Sequence, residues 1–169
     1  NAIVGSNDTA GIGQLTVDSG ASLTINSGVT LQLNPTKAGI VNGTMNVSGK
    51  YTLLGGGGSN LTIGSSGVVN VTGTGTLDAR KSTFLDHGAT LNLASTANTW
   101  VPQDRFTIGN ASTLHFDVFG GSVSTITGSS LNLDLHLNAN LDLDLMNTGV
   151  GTYDLITGIK NIRWYNAGS

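Results

Sequence analysis

Residues 15–31 read LTVDSGASLTINSGVTL, one phrase written twice and begun a third time at Leu31. Each copy opens apolar–polar–apolar and runs into a polar turn that carries glycine. Alternation with period two sends two side chains to one face and one to the other, which is a short strand, and the glycine ends it. The phrase returns as MNVSG from Met45, LTIGSSG from Leu61, VNVTGTG from Val69 and LNLAST from Leu91.

Leu15, Leu23 and Leu31 are evenly spaced, eight residues apart. Met45, Leu53, Leu61, Val69, Leu77, Leu85 and Leu93 hold the same interval without a break, and Phe106 and Leu114 repeat it once. Regular short strands with regular turns indicate a repetitive β architecture. Three such units close one coil of about 24 residues, and coils stack about 4.8 Å apart, so the chain predicts about seven coils in a rod of about 34 Å. An antiparallel β-sandwich is the alternative, with the same phrases as hairpins. Three-residue strands are short for it, since five or six is usual. The reading is therefore all-β, with a parallel β-helix ahead of a sandwich.

Composition agrees. All ten acidic residues are Asp, Glu is absent, and there are 25 Gly. No segment offers the Ala, Leu, Glu, Lys and Arg that a helix needs over ten or more residues. Net charge is −3 with only 10% charged residues, and no basic patch stands out, which argues against nucleic acid as a partner. No apolar run is long enough to span a membrane. With no cysteine, thiol catalysis, Cys-ligated zinc and disulfides are excluded. Absence of thiols is compatible with passage through an oxidising periplasm. The first residue is Asn1 rather than Met, so we expect a removed leader or an excised fragment, and Gly168-Ser169 is either native or a cloning remnant.

The chain divides into a lead-in at 1–14, short-strand repeats at 15–111 and longer strands at 112–169, within a single domain. Breaks at 34–39 and 94–105 hold the two prolines, which cannot donate to a ladder. In 131–145 every odd position is apolar, Leu except at Ala139, and every even one polar. A hairpin at Asn138-Ala139-Asn140 is the natural reading, and GTYDLITG and IKNIRWY supply one or two closing strands.

The phrase L-T-[VI]-x-S-G-[AV]-[ST]-L at 15–23 and 23–31 resembles the passenger regions of bacterial autotransporters and related large secreted adhesins. GTYDLITG at 151–158 is similar to a segment near the end of such passengers. The resemblance covers about 15–158. It implies a right-handed parallel β-helix, secreted and displayed on the bacterial outer surface. The barrel strands of a translocator are not visible, so the expectation is at most a passenger or stalk segment.

Candidate sites are few. Asp86-His87 and Asp104-Arg105 are the adjacent acid–base pairs, and exposed turn residues are the plain reading of both. A polysaccharide hydrolase needs paired carboxylates across a groove. No Asn-Thr-Asp or Asp-Asp motif of the pectinase-like families is present. His115 and His136 fall on the polar phase of strands and are read as surface-facing. Asp134, Asp142 and Asp144 could gather on one face for Ca²⁺, but alternation alone places polar residues there, so no metal site is assigned. The T-G-T-G-T run at 72–76 is too short for a flat threonine ladder. Six N-x-[ST] sequons, at Asn7, Asn42, Asn46, Asn60, Asn70 and Asn110, are close to what this composition gives by chance.

The most distinctive cluster is Trp100, Val101, Pro102, Asp104, Arg105 and Phe106. A loop leaving the rod there can offer an aromatic to a sugar or partner; the alternative is a Trp folded over a core edge. Trp164 and Tyr165 pose the same choice. We take Trp100, Asp104 and Arg105 as binding residues, expect 94–105 to protrude with Trp100 at least partly exposed, and assign no catalytic residue and no cofactor. The function expected is a non-catalytic surface structural or adhesive segment, with host or matrix glycans or proteins as partners. A self-assembling extracellular fibre subunit and a carbohydrate-active β-helix enzyme are the alternatives.

Overall fold

The computed structural model describes residues 1–6, 8–34, 36–54, 59–94, 99–100, 104–119, 122–146 and 152–165. The first coil runs through β1 (Ala2–Val4), β2 (Asp8–Ile12) and β3 (Leu15–Val17); the second through β4 (Ser22–Ile25), β5 (Thr30–Leu33) and β6 (Gly39–Val41). The third holds β7 (Thr44–Val47), β8 (Lys50–Leu53) and β9 (Leu61–Ile63), and the fourth β10 (Val68–Thr72), β11 (Thr76–Ala79) and β12 (Ser82–Leu85). The fifth holds β13 (Thr90–Ala94), β14 (Thr99–Trp100) and β15 (Arg105–Ile108). Two wider coils follow: β16 (Thr113–Phe119), β17 (Ser122–Val123) and β18 (Thr125–His136), then β19 (Asn140–Met146) and β20 (Ile156–Tyr165).

Each strand pairs with its counterpart one coil away. Wall A stacks β1, β4, β7, β10, β13, β16 and β19, all parallel. Wall B stacks β2, β5, β8 and β11. Wall C stacks β3, β6, β9, β12, β15, β18 and β20. The fold is a right-handed parallel β-helix. Among the described strands the one antiparallel pair is β16–β17, so the sandwich alternative falls away. Five coils have three separate strands; in the last two, β18 and β20 each carry two walls in one strand. The start of β18 pairs with β14 and its later part with β15.

The eight-residue frame marks the core. Met45, Leu61, Val69 and Phe106 are wholly buried, as are Leu53 and Leu114, and Leu77, Leu85 and Leu93 nearly so. Successive coils differ in length, however: Leu23 faces Met45, Met45 faces Val69, and Val69 faces Leu91. The residues gained or lost sit at corners, so the inward phase is kept.

The hairpin at 138–140 is not formed. Asn138 has φ 58°, and Ala139 N–H donates to the His136 carbonyl at 3.1 Å, so a tight turn is present. It carries the chain from wall C to wall A: β18 pairs with β15 and β20, and β19 with β16. The same corner turn recurs as Asp18–Ala21, Asp86–Ala89 and Gly109–Ser112, with positive φ at Gly20, Gly88 and Ala111. A corner and a hairpin share their turn chemistry and differ only in where the next strand finds a partner.

Tyr51 is the largest fully buried side chain. Its ring reaches from wall B across the interior, and its hydroxyl lies where a side chain on Gly39 of wall C would be. That hydroxyl is buried without a hydrogen-bond partner, and burial pushes its pKa well above the ordinary tyrosine range. A buried unpaired hydroxyl costs about 1–3 kcal/mol. Tyr51→Phe is therefore expected to raise the melting temperature by about 2–4 °C. Gly39→Ala alone should destabilise by about 1–3 kcal/mol through overpacking. Combined with Tyr51→Phe it should recover part of that loss. Thermal melts of the three variants by circular dichroism check both expectations.

Candidate functional site

The predicted binding residues do not gather into a loop. At Thr99 and Trp100 the backbone runs in the ladder, paired with Thr125 and Ile126, which corrects the expectation that 94–105 protrudes as a whole. The Trp100 side chain and residues 95–98 and 101–103 lie outside the described parts, so the exposure expected of Trp100 lies there too. Phe106 is core. Asp104 is exposed at the start of the strand. Its carbonyl accepts from Asn132 N–H and Asn132 Nδ2, both at 3.0 Å.

Arg105 takes part in an ion pair between coils. Its Nε lies 3.3 Å from Asp134 Oδ2 one coil away. From the following coil Arg163 donates Nε to Asp134 Oδ1 at 2.7 Å and Nη2 to Oδ2 at 3.1 Å. The Asp134 side chain is left 3% exposed while the two arginines are each more than 40% exposed. One carboxylate is thus clamped from both sides along wall C, joining three coils. Burying a carboxylate is tolerable here because charge-assisted donors occupy both oxygens.

Asp142 and Asp144 are on wall A, in register with His115 and Asp117. Asp134 is on wall C, so the three aspartates do not share a face, and the calcium arrangement does not exist. His115 instead holds two carboxylates: Nε2 is 2.7 Å from Asp117 Oδ1 on its own strand, and Nδ1 is 2.8 Å from Asp142 Oδ2 on the next coil. An ionised carboxylate only accepts, so both ring nitrogens carry protons and the imidazole is cationic. Partial burial lowers its pKa, but the hydrogen bonds and charges of Asp117 and Asp142 outweigh this and raise it above the ordinary value. With both nitrogens engaged, His115 has no lone pair to serve as a base.

His115 belongs to a column on the outer face of wall A. Thr24, Asn46, Asn70, Asn92, His115 and Asp142 are successive register partners. Asn70 Nδ2 donates to Asn46 Oδ1 at 2.9 Å, and Asn92 Nδ2 to Asn70 Oδ1 at 2.7 Å. An amide both donates and accepts, so identical side chains can chain along the axis.

The remaining candidates have structural roles. Asp86 and His87 are exposed corner residues, and His87 Nδ1 is 2.7 Å from the Asn110 carbonyl. His136 stacks on Tyr165 with centroids 4.8 Å apart. Thr72 and Thr76 belong to different walls, so the T-G-T-G-T run turns a corner rather than forming a flat ladder. Trp164 is 76% exposed at the C-terminal end of the rod. Among the described residues no three His, Asp or Glu side chains are grouped to hold a metal ion, and no helix is long and apolar enough to cross a membrane. The two inter-coil clamps were missed because their members are a coil apart, and coil length cannot be read in advance. No family model, no curated protein and no solved structure matches the chain.

Because the His115 pKa is raised, its stabilisation is complete below about pH 6.5 and is lost as pH rises through the folded-state pKa. His115→Gln should lower the melting temperature by a few degrees at pH 5.5, and the gap to the parent should narrow by pH 8.5. Melts across that range check this. At the other clamp, Arg163→Met should destabilise more than Arg105→Met, since Arg163 satisfies both oxygens. Asp134→Asn in the Arg163→Met background should restore part of the loss, which denaturant titration measures.

Proposed function

We propose that the chain is a non-catalytic, surface-displayed rod segment of a secreted bacterial protein, serving as scaffold or adhesive stalk. The observation that carries this reading is what the outer walls do with their charges. Asp134 is held by two arginines, Asp117 and Asp142 by one histidine, and Asp78 by Lys50 and Arg80 at 3.8 and 3.3 Å. These side chains join neighbouring coils or neighbouring residues on one wall. Two cavities support the same view. One, of about 210 Å³, is lined by Ile108, Leu133, Leu135, Ile156, Trp164 and neighbours. The other, of about 230 Å³, lies at the wall A–B corner among Gly28, Thr30, Lys50, Thr74 and Thr76. Neither is lined by a carboxylate or a histidine, so neither offers the acid pair of glycoside hydrolysis.

The resemblance of the LTVDSGAS and LTINSGVT phrases to autotransporter passengers supports secretion and display, as does the lack of cysteine. Glycans or proteins of a host or matrix are the partners this reading implies. Purified chain incubated with polysaccharides and esters should release no product above background. Reproducible turnover that Asp→Asn changes abolish overturns the non-catalytic reading. Protease shaving and antibody labelling of intact producing cells should reach the chain; a signal seen only after lysis overturns surface display.

A further inference from the structure

The outer face of wall A differs from those of the other two walls. From β4 to β16 its register runs without a shift, whereas β2–β5 on wall B and β18–β20 on wall C both slip. Two straight outward columns result. Ser22, Thr44, Val68, Thr90 and Thr113 stand in one, and Thr24, Asn46, Asn70 and Asn92 in the other. All nine are half-buried, and none is charged or aromatic. By contrast, the outward columns of wall B carry Lys50 and Asp78, and that of wall C carries Ile40, Phe84 and Asp134.

Both wall A columns are stiff. Threonine and valine branch at Cβ and are restricted at χ1. The Asn46, Asn70 and Asn92 amides are fixed by bonding one another. Along the rod each column repeats about every 4.8 Å, and the two columns, two residues apart on every strand, lie about 6.6 Å from each other. The face is thus a flat rectangular grid of methyl, hydroxyl and amide groups. Val68 keeps the branched shape of threonine within it. Water oxygens on a prism face of hexagonal ice repeat at closely similar distances along two perpendicular directions. Ordered water grows onto a surface that offers hydrogen-bonding groups at that spacing and no charge to turn its dipoles out of lattice orientation. Ice meets all the groups at once, so contacts that are each weak add along the columns. A crystalline polysaccharide is also periodic, but its sugar rings stack on aromatic faces, which these columns lack.

We propose that the outer face of wall A, from β4 to β16, is an ice-binding surface. The proposal goes beyond the surface-display reading and stands without it.

Growing ice slowly from a dilute solution of the chain tests it, with circular dichroism of each variant in the cold to verify folding. The chain should enter the ice well above a soluble control protein of similar mass. Thr44→Lys and Thr90→Lys should each reduce its share in the ice to that of the control. Thr90→Gln, longer but uncharged, should lower it too, which keeps the test informative where a lysine fails to fold. Thr62→Lys, on the outward column of wall C, should leave it unchanged. A folded parent chain that enters ice no more than the control overturns the proposal, and so does entry that the wall A variants leave intact. Retention on insoluble cellulose or chitin, lost in the same variants and without entry into ice, assigns the wall to a polysaccharide and overturns it as well.

Discussion

Backbone hydrogen bonds between successive coils run along the rod axis, and the rest of the structure follows from keeping that ladder in register. Parallel stacking sets every side chain above its counterpart one coil away. Inside, this favours apolar residues of compatible size, which Met45, Val69 and Leu91 supply on wall A and Leu61, Phe106 and Leu133 on wall C, where the buried Thr83 stands between Leu61 and Phe106. Outside, it demands side chains that tolerate whatever is stacked on them. Amides tolerate their own kind, hence Asn46, Asn70 and Asn92. Charges do not, since like charges directly opposed are destabilising. Two charged register pairs are opposite in sign, His115 under Asp142 and Asp134 under Arg163, while Asp117 under Asp144 is a like pair whose inner member is held by His115.

Several of the charges form inter-coil clamps. Both main clamps sit at the wide coils, where β16 and β18 meet β19 and β20. Charge-assisted hydrogen bonds on walls A and C add to the backbone ladder between these coils.

The core was legible because its signal is local. Alternation within each phrase and the eight-residue interval located Leu53, Leu77 and Leu85 on the inner face before any partner was known. What alternation cannot supply is which wall a strand joins, since it separates inside from outside and nothing more. Asp134 and Asp142 share a phase in the sequence but stand on different walls, and the turn at Asn138 reads equally as hairpin or corner. Pairing across coils was hidden for a related reason. The Asn46–Asn70 step is 24 residues, Asn70–Asn92 is 22 and His115–Asp142 is 27, so no constant offset finds the partners. The Arg105–Asp134 pair was hidden in the same way, because Asp134 is recognisable as its partner only once β15 lies against β18.

The unequal coils have a mechanical consequence. Each coil's backbone ladder reaches its immediate neighbours, so the coils are links in series. Tension applied along the rod loads one link at a time. Each rupture frees a whole circuit of chain, about 70 Å for the shorter coils when drawn out straight. The wide terminal coils yield more. A rod of this kind gives way in steps and lengthens several-fold as its coils let go in turn.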